Sequence, residues 1–169
     1  MSSQYRSIKS NMKAIFIFLM LLGAVAYGAQ QGAPIAVTKP FTAKYKEAKS
    51  VSWWAEDGVY QASFKHEGFS KVATYKKDGT WVMTITAVPV EGLMSCITDL
   101  LKERYSEAVA LEAEFVENPA SEKYYITVEV TEVEMKKVDG ELIEDFTLTY
   151  VNLAFNADCV FLGEVDQDE

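Results

Sequence analysis

The sequence predicts an α+β fold, an antiparallel sheet with helices packed on one face. Three observations carry that reading. Short β-rich runs alternate apolar and polar residues, Asp-Gly turns separate them at Asp57-Gly58 and Asp78-Gly79, and two segments switch to helical spacing. The order is helix, four strands, helix, four strands, which predicts two tandem helix-plus-four-strand repeats.

The chain opens with Arg6, Lys9 and Lys13, an apolar run from Ala14 to Ala26 and a small-residue exit. That is the pattern of a cleavable export signal over residues 1–28, with cutting after Gly28 or after Ala26. The run has 13 residues, short of the roughly 20 that span a bilayer, so no membrane insertion is expected after cleavage. Met1 and Met12 are both workable starts. Residues 29–37 read as a linker. Thr38 is placed to cap a first helix with Pro40 in its first turn, running to Lys49. Strands follow at 51–56, 59–67, 71–77 and 80–88. Pro89 opens a second helix, in which Leu93, Met94, Ile97, Leu100 and Leu101 form an apolar stripe. Four more strands are expected at 108–116, 123–133, 145–155 and 159–165, with loops near 117–123 and 135–145. Repeat one is read as 38–88 and repeat two as 89–163 in a domain spanning 38–163, leaving an acidic tail at 164–169.

Duplication has support in the residues. Tyr45-Lys46-Glu47-Ala48 closes the first helix and Tyr105-Ser106-Glu107-Ala108 the second. Tyr75 to Val82 aligns with Phe155 to Leu162, placing aromatic, Asp, aromatic and aliphatic residues at the same spacing.

Three of the 16 bases and none of the 25 acids precede residue 29, leaving 13 bases against 25 acids, a formal −12. Such a surface lacks the basic patch that nucleic acid and anionic membranes require. About 140 residues suffice for one domain with its own core. Cys96 and Cys159 are the only cysteines, so a free buried thiol and a single disulfide are both open.

No catalytic set can be assembled. His66 is the sole histidine and sits between Lys65 and Glu67 at a strand end. One His and two distant Cys do not form a zinc site. The acidic groups at Glu141/Glu144/Asp145 and Asp166/Asp168/Glu169 lack a calcium-loop pattern. The reading is therefore a protein with no enzyme activity, no metal and no cofactor.

Alternation assigns the strand faces. Val51, Trp53, Tyr60, Ala62, Phe64, Trp81, Met83 and Ile85 form the natural core. Trp54, Lys65 and Thr84 fall on the opposite, open face, joined in the second half by Tyr125, Thr127, Glu129, Thr131, Thr147 and Thr149. The candidate binding residues are Trp54, Lys65, Thr84, Tyr125, Glu129, Thr147 and Thr149.

The run Phe41, Tyr45, Ala48, Val51, Trp53, Asp57-Gly58, Tyr60, Ala62, Phe64, Ala73, Tyr75, Asp78-Gly79 and Trp81 resembles the PepSY-like, β-lactamase-inhibitor-like domains of secreted bacterial proteins. The likeness is good over 41–82 and reaches the second half only through its degenerate copy. It implies helices on one face of an antiparallel sheet, a periplasmic or secreted location, no enzymatic role, and an open sheet face that clamps another protein. The expected partner is another envelope or secreted protein, such as a protease or hydrolase that the module inhibits. The alternative is a small-ligand carrier with an apolar pocket between helices and sheet.

Overall fold

The computed structural model describes residues 32–105, 107–138 and 141–165. The export segment expected at 1–28 lies outside them. Helix α1 spans Ile35–Lys44, and β1 (Lys49–Glu56), β2 (Val59–His66), β3 (Phe69–Lys76) and β4 (Trp81–Ala87) come after it. A 3₁₀ turn at Val90–Gly92 leads into α2 (Ser95–Arg104). The chain ends in β5 (Ala108–Asn118), β6 (Ser121–Val138), β7 (Glu141–Asn156) and β8 (Phe161–Val165). All eight strands form one antiparallel sheet in chain order, each paired with its sequence neighbour.

Turn chemistry sets the first half. Asp57-Gly58 and Glu67-Gly68 have positive φ at both residues, the backbone that matches strand twist in a two-residue hairpin. Gly79 has φ +88, and a Cβ there would overlap the carbonyl oxygen of Ala36 in α1. Glycine is what lets the β3–β4 turn lie against that helix. Helix α1 starts earlier than expected, after Pro34, and carries Pro40 in its interior.

The α+β, two-repeat prediction is corrected. The described residues are mostly β, a single eight-stranded sheet with two helices of ten residues each. The halves are also unequal: β1–β4 have seven or eight residues each, whereas β6 has 18 and β7 has 16. Residues expected in loops near 117–123 and 135–145 instead lengthen strands. Val133 pairs with Phe146 and Lys136 with Ile143, so the β6–β7 hairpin runs on where charge suggested a loop. β8, Phe161–Val165, lies within the strand expected at 159–165 and overlaps the first two residues of the segment also read as tail.

Two apolar clusters lie on the same side of the sheet. Val37, Phe41 and Tyr45 of α1 meet Ala62, Phe64, Ala73 and Tyr75. Phe41 has its ring centroid 5.0 Å from both Trp53 and Phe64, edge-on to each. Ile97 and Leu101 of α2 meet Ala113, Ile126, Val128, Val130, Leu153 and Phe155. Cys96 and Cys159 are joined by a disulfide that ties the start of α2 to the β7–β8 turn.

Candidate functional site

The sheet face away from these clusters is built by pairing register. Trp54 pairs with Gln61, Gln61 with Thr74 and Thr74 with Met83. Ile85 pairs with Val116, Glu114 with Tyr125 and Tyr125 with Ala154. Side chains opposite one another in a ladder share a face, so this row crosses the open side from edge to edge. Of the seven expected site residues, Trp54, Lys65, Tyr125 and Glu129 lie on it. Trp54 and Tyr125 are half-buried, and Lys65 is exposed. They are not neighbours: Trp54 is in β1 and Tyr125 in β6, about 24 Å apart at ordinary strand spacing.

The other three sit on the helix side, contrary to the alternation reading. Between Tyr75↔Trp81 and Thr74↔Met83 the register slips, leaving Val82 as an extra residue in β4. That bulge reverses the parity of the remaining β4 residues. Trp81 stays on the core side, Met83 and Ile85 turn to the open face, and Thr84 and Thr86 are buried. Thr84 is fully buried; its Oγ1 accepts a 2.9 Å hydrogen bond from Trp81 Nε1 and shares another with Tyr45 Oη. Burial pushes the Tyr45 phenol up to about 12, against a smaller downward pull from Thr84 and a further rise from Glu117. Thr84 is thus an internal polar link. In β7, Thr149 pairs with Val130 and Val151 with Val128, both core-side residues, so Thr149 and Thr147 are also on the helix side. β7 is apolar at both parities here, and only its register with β6 distinguishes them.

Alternation does not reveal an apolar row on the open face. Val109, Val133, Met135, Leu142, Phe146 and Leu148 are all exposed, Val109 and Met135 by nearly 60%. The pairings Val109↔Glu129, Glu129↔Tyr150, Thr131↔Leu148 and Val133↔Phe146 put them on the Tyr125 side. The sequence does carry a signal, Phe146, Leu148 and Tyr150 at alternate positions, but that pattern is equally the pattern of a core face. Acid borders the row. Glu112 and Glu114 face Thr127 and Tyr125, and burial, then the charge of Glu112, raises the Glu114 carboxyl above its ordinary range. Tyr150 donates to Glu129 Oε2 at 3.1 Å.

Elsewhere the chemistry is sparse. His66 Nδ1 lies 3.4 Å from Glu67 Oε2 and its ring packs edge-on against Tyr45. Among the described residues no three His, Cys, Asp or Glu are grouped so as to hold a metal. An open groove of about 300 Å³ lies between α2, the 3₁₀ turn and β5, lined by Val90, Leu93, Leu101, Lys102 and Tyr105 among others. A second, of about 270 Å³, lies beside Trp54, Glu56 and Gln61 on the open face.

No family model matches the sequence, and no curated protein does. Solved structures do. A BLIP-like protein from Bacteroides fragilis superposes with TM-score 0.60 at 21% identity, over 79% of this chain and 85% of that one. The chain has a BLIP-like fold. A DUF2874 family protein from Bacteroides ovatus gives 0.59 at 25% identity, over 80% and 89%. A candidate periplasmic protein from Bacteroides eggerthii gives 0.57 at 18% identity, over 79% and 88%. Among the described residues no helix is long and apolar enough to cross a membrane. The BLIP-like fold accounts for the resemblance carried by residues 41–82: those positions are the α1 core and the strands around it.

Proposed function

We propose that the protein is an exported, non-enzymatic binding module that recognises another envelope or secreted protein through the open face of its sheet. The observation that carries this is one-sided coverage. Every buried helix side chain sits against one face, while the other presents Trp54, Tyr125 and a contiguous set of exposed apolar residues. Exposed apolar area that is continuous and rimmed by charge marks interaction surfaces on soluble proteins. The BLIP-like fold supports the same reading by analogy. Cleavage after residue 28 delivers the domain to the periplasm or beyond, where the Cys96–Cys159 bridge persists.

The test is a pull-down from envelope extract with the wild type and with Trp54→Ala and Tyr125→Ala. Both variants should keep their thermal melt within a few degrees and lose capture of the partner. Unchanged capture by both would refute the open face as the site. The carrier reading has the groove under α2 as its locus. Native mass spectrometry of the purified protein would reveal a co-purified small molecule if that reading held.

A further inference from the structure

The β6–β7 hairpin outgrows the sheet. β5 pairs with β6 only up to Ala108↔Val130, and among the described residues β8 pairs with β7 only from Asn152 to Phe155. From Leu142 to Val151, β7 therefore shows an edge without a paired strand among the described residues. A two-stranded ribbon is marginally stable by itself in water. The two edges of this one differ. β6 carries Glu132, Glu134, Lys136 and Lys137, the charges that discourage strand addition. β7 reads Leu142-Ile143-Glu144-Asp145-Phe146-Thr147-Leu148-Thr149-Tyr150-Val151, rich in β-branched and aromatic residues, with no Lys, Arg, Pro or Gly.

The ribbon's faces also differ. Its open face holds Val133, Met135, Leu142, Phe146, Leu148 and Tyr150, all exposed. Its back face holds three acids, Glu132, Glu134 and Asp145, and one base, Lys136, which bonds Asp145 and lies 3.6 Å from Glu134. Resting on the reading of the open face as a binding surface, we propose that the β7 edge takes an extended segment of a partner protein as an added strand. That segment's side chains alternate apolar and basic. Strand addition gives it main-chain hydrogen bonds, the period of two sends its apolar residues over Phe146 and Leu148, and its Lys or Arg residues meet the acidic back face. A second copy of this chain fits less well, because residues 29–169 carry a formal −12 and two such copies repel.

The probe is a capped synthetic peptide, VKVKFKVKV, titrated into the exported protein by fluorescence anisotropy. Its acidic analogue VEVEFEVEV and an alternately N-methylated version serve as controls. The basic peptide should bind, weakening as salt rises, and both controls should bind about ten-fold more weakly or worse. Phe146→Ser and Leu148→Ser should each cost about ten-fold, whereas Lys39→Ala, exposed on helix α1, should change little. Equal binding by the acidic or N-methylated peptide, or by both serine variants with circular dichroism intact, would overturn the proposal. So would an absence of binding, or a sedimentation-detected dimer that Phe146→Ser dissolves. If these arms fail while pull-down still depends on Trp54 and Tyr125, strand addition is wrong and the open-face reading stands.

Discussion

Replacing Thr84 by Val separates the two placements of β4 by sign as well as size. On an open face, Thr84→Val would be neutral or slightly stabilising, since both residues are β-branched and suit a strand. Under α1 it is costly. The substitution leaves the Tyr45 hydroxyl, in a side chain only 4% exposed, and the Trp81 indole N–H without the oxygen they share. A stranded buried polar group costs about 1–3 kcal/mol, and Trp81 is exposed enough to recover some hydration. The expected loss is about 2 kcal/mol, measured by urea denaturation followed by tryptophan fluorescence; with a slope of about 2 kcal/mol per molar it lowers the midpoint by about 1 M. Tyr45→Phe alone should cost about 1 kcal/mol, because Thr84 keeps its bond from Trp81. The pair Tyr45→Phe/Thr84→Val should be more stable than Thr84→Val alone by about 1 kcal/mol, since no phenol is then left unpaired. A change within about 0.5 kcal/mol for Thr84→Val, or a double variant weaker than either single, would refute the bulge and the buried network.

Three further outcomes are expected. Gly79→Ala should reduce stability far more than Gly58→Ala: both have positive φ, but only at Gly79 does the new methyl meet a helix carbonyl, that of Ala36. Thermal melts of the two variants check this, and equal losses would contradict the close approach. Reducing Cys96–Cys159 should cost about 4 kcal/mol by loop-closure entropy over a sequence separation of 63 residues, seen as a lower melting temperature in the presence of a phosphine. Alkali should also weaken the fold. Burial raises the phenols of Tyr45, to about 12, and Tyr75 above their ordinary value of 10.0, so both hold protons more tightly folded than unfolded. The contribution of Tyr45 is complete below pH 10 and disappears as pH rises through about 12, that of Tyr75 at higher pH still, and Tyr45→Phe should flatten the first part of that decline in urea midpoints.

The first half of the sheet was legible because its signals are local. Each of Gly58, Gly68 and Gly79 sits at positive φ where the sequence placed a turn, and β1–β4 fall within two residues of their expected bounds. What failed was non-local. No residue in Trp81-Val82-Met83-Thr84 announces the bulge, and one extra residue moves every later side chain of the strand to the other face. In β7, Leu148 and Tyr150 are as apolar as Val151 and Leu153, so hydrophobicity alone offers two equally good cores. Pairing with Ile126 and Val128 selects between them. The hairpin tip resembles a loop in sequence because Lys136-Lys137 and Glu144-Asp145 look solvated. Lys136, Lys137 and Glu144 are exposed and Asp145 is bonded by Lys136, but on strands that alternate them with Val133, Met135, Ile143 and Phe146.

The same non-local devices determine where a partner could be recognised. Among the described residues two ten-residue helices cover part of one face of eight strands, and no helix packs on the opposite face. The β4 bulge sends Met83 and Ile85 to that face and withdraws the hydroxyls of Thr84 and Thr86 from it. The β7 register does the same with Phe146, Leu148 and Tyr150, and withdraws Thr147 and Thr149. In each strand a polar β-branched residue is exchanged for a large apolar one on the uncovered side. For a domain that only had to fold, that exchange exposes apolar area with no return in core packing. For a domain whose uncovered side meets another protein, it concentrates apolar anchors there and leaves acids such as Glu112, Glu114 and Glu129 to select the partner's charge.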